Sequence, residues 1–242
     1  MLDHSPSISE GLTPDKERSK RTKGCTFITL VGTSLRIPQT TIATACILFH
    51  RFYLRNSILV YNYHDIGGTC LFIACKIEET PKSLRELIAT CARKAHKDDS
   101  LAMDESSKEF FRWRETIIYH EGIVLMSLCY DLDVEKPYDS LMEMLSKTPD
   151  KKLLQTAWCI INDSLRTTVC VRFPARVIAL AALLLATRLI ASAPPSQVSK
   201  ELEANSEPIK EIITEITDLY TAFGVEVGPA AAANLSKSLG PC

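Results

Sequence analysis

Between Arg176 and Arg188 the chain runs through eleven uncharged, almost wholly apolar residues (VIALAALLLAT), and an earlier stretch, Ile66–Ile77, is nearly as apolar. A helix that is apolar round its whole circumference must be enclosed either by other helices or by lipid. Eleven residues of helix rise about 16 Å, roughly half of a hydrocarbon layer of about 30 Å, so lipid is the poorer enclosure. Each run therefore reads as a central helix with other helices packed around it.

The neighbouring segments supply those helices. Thr13-Pro14-Asp15 combines a capping residue, a proline at the first helical position and a first-turn acid, and predicts a helix to about Ser34, weakened by Gly24 and Gly32 by up to about 1 kcal/mol each. Pro38 opens the next, over 39–56, and His64–Glu78 follows until Pro81 stops it. Ser83 caps a short helix to about Lys94, residues 97–107 read as loop, and Lys108–Tyr130 carries Phe110, Trp113, Ile117, Val124 and Leu128 at three- and four-residue steps. After DLDVEKP the pattern restarts: Tyr138–Ser146, Asp150–Thr167, Ala175–Ala191, Ser196–Glu203 and Glu207–Phe223. Two sets of five helices, each with the most apolar one third, imply an internal structural repeat. No period-two alternation bounded by turn residues competes. The expectation is an all-α fold with a disordered N-terminus at 1–12, a first five-helix lobe at 13–136, a second at 137–227 and a disordered tail at 228–242.

The chemistry-bearing residues point away from catalysis. No phosphate-binding glycine loop, kinase catalytic loop, GxSxG or HExxH occurs, and the five histidines are scattered. The nine cysteines are odd in number, lack a CxxC pair and mostly fall in apolar runs, as Cys46, Cys70, Cys75 and Cys159 do; they read as small buried hydrophobes of a reducing compartment, with no metal or other cofactor. A formal net charge of -1 leaves no global excess to drive nucleic-acid or membrane binding. The run KERSKRTK (16–23) reads either as a solvated helix face or as an import or nucleic-acid patch. The polar N-terminus lacks the apolar stretch of a secretory signal.

Two charges break the apolar pattern. Lys76 closes the apolar run of the first lobe, and Glu121 falls on the stripe shared by Phe110, Trp113, Ile117, Val124 and Leu128. A charge at such a position needs a partner. An internal Lys76–Glu121 bridge, a lysine complementing its helix C-terminus, and a surface where another protein docks all satisfy that need.

The segments LRIPQTTIATACILFHRFYLRNS (35–57), TCLFIACKIEETPKSLRELI (69–88) and YHEGIVLMSLCYDLDVEKPY (119–138) resemble the first cyclin box of the transcriptional cyclins, and AWCIINDSLRTTVCVRFPARVIALAALLLATRL (157–189) resembles their second box, closest to the cyclin K type and near the cyclin T and L types. The resemblance implies two tandem five-helix cyclin boxes and a heterodimer with a cyclin-dependent protein kinase, bound mainly through the first box. It places Lys76 and Glu121, with Phe72, Glu79 and Ile117, in the kinase-binding set. It also implies a nuclear regulatory subunit without activity of its own, serving a kinase that phosphorylates the C-terminal repeats of RNA polymerase II, with no direct nucleic-acid or membrane contact. Where cell-cycle cyclins carry a substrate-docking Met-Arg-Ala-Ile-Leu patch, this chain has Gly24-Cys25-Thr26-Phe27-Ile28, so docking of that kind is not expected. A general transcription factor of the same paired fold would need a zinc ribbon and a basic face, and an α-solenoid scaffold a regular period; neither pattern is visible.

Overall fold

The computed structural model describes residues 5–101, 103–146 and 150–223. Two compact units divide it at Val134 and Glu135, inside the extended connector and two residues before the boundary read from the sequence. Among the described residues every regular element is helical.

Unit 1 contains α1 (Pro6–Ser9), α2 (Pro14–Ser34), α3 (Gln39–Arg55), α4 (Tyr63–Ile77), α5 (Leu84–His96) and α6 (Lys108–Ser127). The apolar α4 is the hub, packed against α2, α3, α5 and α6. Ile66, Cys70, Leu71, Ile73 and Ala74 are buried there on all sides, as the circumferential apolarity requires. Its start is fixed by the Asn62 side chain, which accepts from the His64 amide at 2.8 Å. The α6 start is fixed by Ser107, whose Oγ accepts from the Phe110 amide. Thr13 and Ser83 do occupy cap positions, but their side chains make no capping bond; Pro14 and first-turn acids remain as the local signals for α2.

Unit 2 repeats the plan with α7 (Pro137–Leu145), α8 (Lys151–Ser164), α9 (Val169–Arg172), α10 (Ala175–Leu189), a 3-10 turn (Ser196–Val198) running into α11 (Ser199–Ala204), and α12 (Ser206–Ala222). Here α10 is the hub, against α7, α8 and α12. The helix expected over Asp150–Thr167 ends early, at Ser164. Thr167 Oγ1 donates to the Ser164 carbonyl, and Glu215 of α12 accepts from the Thr168 amide and hydroxyl, so side chains replace the next helical bonds.

Three expectations need correction. Residues 5–12 are ordered: Ser5 and Ser7 are buried, Ser5 Oγ donates to the Glu17 carboxylate, and Ser7 Oγ accepts from the Ile58 amide at 3.0 Å. Polar composition signalled solvent, whereas these hydroxyls satisfy buried polar groups of other elements. The basic run 16–23 is not one solvated face, because Glu17 and Arg21 lie inside unit 1. Cys159 is exposed, since α8 turns Leu153, Ala157, Ile160 and Ile161 inward and Cys159 away. The expectations for residues 1–4 and for the tail 228–242 lie outside the described residues.

Gly24-Cys25-Thr26-Phe27-Ile28 is largely core: Cys25 and Ile28 are fully buried and Phe27 nearly so. Gly24 lets α2 approach α3, because a β-carbon there would fall 2.1 Å from the ring of the fully buried Phe49. Gly24→Ala gains helix propensity of about 1 kcal/mol but overpacks the α2–α3 contact, typically at 1–3 kcal/mol and more where the ring has nowhere to go. A net loss of stability is therefore expected in thermal melts, and a variant melting above wild type would contradict it.

Candidate functional site

Lys76 stands in the last turn of α4, and Glu121 two-thirds of the way along the adjacent α6. Packing of these helices brings Lys76 Nζ to 2.5 Å from Glu121 Oε1, although 45 residues separate them in sequence. The ammonium also lies 4.0 Å from the centre of the Phe72 ring, one turn earlier on α4. The lysine side chain is 52% exposed and the glutamate 24%, so the pair forms at the surface rather than in the core. An exposed ion pair contributes about 0–1 kcal/mol to stability, too little to explain a charge placed on an apolar stripe by stability alone.

The end of α4 is built to present these groups. The Thr80 amide donates to the Cys75 carbonyl at 3.0 Å across Glu79, whose φ of 50° is left-handed. Glu78 turns inward and accepts from Thr44 Oγ1 of α3 at 2.6 Å, which ties the turn to its neighbour. Glu79 turns outward and is exposed. Of the five residues assigned by resemblance, Lys76, Glu121, Phe72 and Glu79 reach the surface at this end of the α4–α6 pair. Ile117 does not: it is fully buried, part of the α6 core stripe with Trp113 and Val124, and lies beneath that surface. Helical spacing put Ile117 and Glu121 on one stripe, but four residues advance about 400° round the axis, enough to carry Glu121 to the stripe's edge.

The outer face of α6 carries a feature that residue-type searching missed. Ile118 (43% exposed), Gly122 and Met126 (60% exposed) follow one another at four-residue steps beside Glu121. A β-carbon added at Gly122 would meet nothing within 4 Å. Nothing in unit 1 requires a glycine there, although it weakens the helix by about 1 kcal/mol relative to alanine. Glycine in mid-helix on an apolar face was the available signal: it exposes backbone where another element can come close.

Elsewhere the titratable groups are poor candidates for chemistry. Burial drives the thiols of Cys70 and Cys91 well up, which keeps both protonated and weakly nucleophilic. Burial also raises the Asp65 carboxyl, against the opposing pull of Arg112. Trp113 is fully buried, with Nε1 donating to Glu109 and Arg112 against its ring. Among the described residues, no three of His, Cys, Asp and Glu gather as they would to hold a metal ion, and no helix is long and apolar enough to cross a membrane.

The family model of the cyclin N-terminal domain matches residues 5–133. Cyclin pch1 of Schizosaccharomyces pombe is 38% identical over 228 residues, covering 91% of this chain and 67% of that protein. Human cyclin-K is 34% identical over 236 residues, covering 91% of this chain and 40% of that protein. The chain thus spans about two thirds of one relative and under half of the other. Among solved structures, the yeast RNA polymerase II CTD kinase CTDK-1 complex contains a chain that matches with a TM-score of 0.77 at 20% identity, over 95% of this chain and 78% of that one, which is a likeness of fold.

Proposed function

The chain belongs to the cyclin family, and on that premise we propose that it is a nuclear, non-catalytic regulatory subunit that binds and activates a cyclin-dependent kinase phosphorylating the C-terminal repeats of RNA polymerase II. The observation that carries the reading is the outer surface of α4 and α6. Lys76, Glu121 and Glu79 supply charge there, Phe72, Ile118 and Met126 supply apolar area, and Gly122 supplies close access, while none of the seven is buried in the core of unit 1. Relatives with transcriptional-cyclin names, and a fold neighbour that is part of a CTD kinase, support the choice of branch.

A subunit of this kind accelerates phosphoryl transfer without touching the phosphate. A kinase needs its regulatory helix in place to complete a Lys–Glu ion pair and the metal site, and a rigid surface that favours that position shifts the equilibrium toward the active state. Surface charges fix orientation and apolar side chains supply contact area.

The test is co-purification of the full chain with the kinases of its own cell extract, followed by activity assays on a peptide of polymerase C-terminal repeats. One kinase should be recovered in stoichiometric amount and be active only in the complex. Gly122→Ala is expected to stabilise the free chain by about 0.5–1 kcal/mol. Gly122→Gln should also keep the helix but weaken kinase binding at least tenfold, about 1.4 kcal/mol, by holding the partner off α6. A glutamine variant that binds and activates like wild type would remove α6 from the interface.

A further inference from the structure

Unit 2 contains a counterpart of Lys76 that lacks an acidic partner among the described residues. The hub helices superpose in sequence at a constant offset of 112 residues, which pairs Ile66 with Ile178, Leu71 with Leu183, Ala74 with Ala186 and Lys76 with Arg188. Their closing turns agree bond for bond. Thr80 N donates to the Cys75 carbonyl at 3.0 Å and Ser192 N to the Thr187 carbonyl at 2.9 Å, across left-handed residues Glu79 (φ 50°) and Ala191 (φ 54°). In both helices the residue one turn before the cation, Phe72 or Leu184, is half-buried within an otherwise buried stretch.

The electrostatics differ. Lys76 takes the carboxylate of Glu121 from the last helix of its unit. In unit 2 the last helix spends Glu211 and Glu215 on Arg172, and Arg188 has no hydrogen-bond or ion-pair partner among the described residues. Its Nη1 is closed off from solvent with no acceptor, while the residue keeps part of its surface open. Desolvation lowers its pKa, the cost of holding a charge there without a partner. A donor orphaned in this way costs free energy until an acceptor arrives.

We propose that Arg188 is a docking point for a carboxylate, carried on a short acidic segment of a partner protein whose flanking residues are apolar. The chemistry is taken from the counterpart site, where a carboxylate fills the same position. A guanidinium fork matches a carboxylate in shape and in its single charge, whereas a phosphoryl group brings nearly two charges. Apolar flanks fit because half-buried Leu184 lies one turn before the arginine, and the exposed Leu189 and half-buried Ile190 follow it directly in the chain. The site lies in the unit that the kinase reading leaves unused, so it stands or falls separately from that reading.

The test titrates the full chain into a dye-labelled peptide alternating leucine with glutamate, alongside a twin with glutamine and a version with phosphoserine, by fluorescence anisotropy. The glutamate peptide should bind at least tenfold more tightly than the glutamine twin, and Arg188→Met should abolish that preference. The same variant should melt no lower than wild type, because it removes a desolvated charge that nothing compensates. The proposal is overturned by equal binding of both peptides, by binding unaffected in Arg188→Met, or by tighter binding of the phosphoserine version, which would mark a phosphopeptide site. A variant melting well below wild type would overturn it too, by showing that Arg188 has a structural partner.

Discussion

Replacing Arg21 with methionine is expected to destabilise unit 1 by about 3–5 kcal/mol, the usual cost of removing one partner from a buried ion pair. Arg21 Nη2 donates to Glu17 Oε1 and to the Tyr53 carbonyl, each at 2.7 Å, Nε donates to Glu17 at 2.9 Å, and Nη1 to the His50 carbonyl at 3.2 Å. The side chains are 2% and 5% exposed, so neither solvent nor salt takes over when the guanidinium is removed. Among the described residues the carboxylate left behind would keep only the Ser5 hydroxyl as a side-chain partner, and the end of α3 would lose its tie to α2. A loss of this size is a large fraction of the 5–15 kcal/mol that typically holds a domain folded. Urea denaturation of the full chain measures it. The double variant Glu17→Leu with Arg21→Met should recover much of the loss, because an apolar pair of similar volume leaves no buried charge uncompensated. A single variant within about 1 kcal/mol of wild type would show that the pair is solvated after all.

The second large effect is on binding. Lys76→Glu, Glu121→Lys and the double swap are each expected to weaken kinase association by about 2–5 kcal/mol, the range for charge contacts that become desolvated in an interface. Because Lys76 and Glu121 already meet in the free chain, the swap preserves their attraction while presenting inverted signs to the partner. Stability of the free chain should change by less than about 1 kcal/mol in the swap, as expected for an exposed pair. Kinase affinity of the swap within a few-fold of wild type would assign the pair to the unit's own surface and leave Gly122, Ile118 and Met126 to carry the interface.

The helices themselves were legible without tertiary information. Pro14, Pro38 and Pro81 mark starts and stops, and the apolar runs of α4 and α10 are too continuous for anything but enclosed helices, so their bounds were found within one or two residues. Lys76 and Glu121 stood out because a charge within an apolar periodicity is a local anomaly that a one-dimensional pattern records. Their meeting at 2.5 Å depended on how α4 packs on α6 across 45 residues of chain. Glu17 and Arg21 were hidden for the converse reason. A Glu–Arg pair one turn apart reads alike inside or outside a protein, and its burial follows from carbonyls of His50 and Tyr53, 29 and 32 residues away from Arg21. Ser5 and Ser7, polar and near the start of the sequence, are inside because Glu17 and Ile58 N–H need their hydroxyls. Ile117 and Ile118 are chemically identical neighbours, and only the packing of α6 made one core and the other surface. Periodicity along one chain determined which segments are helical and which residues are out of place in them; which polar groups are buried, and which face meets a partner, was decided by contacts between elements distant in sequence, because a side chain's burial is set by the elements that pack over it.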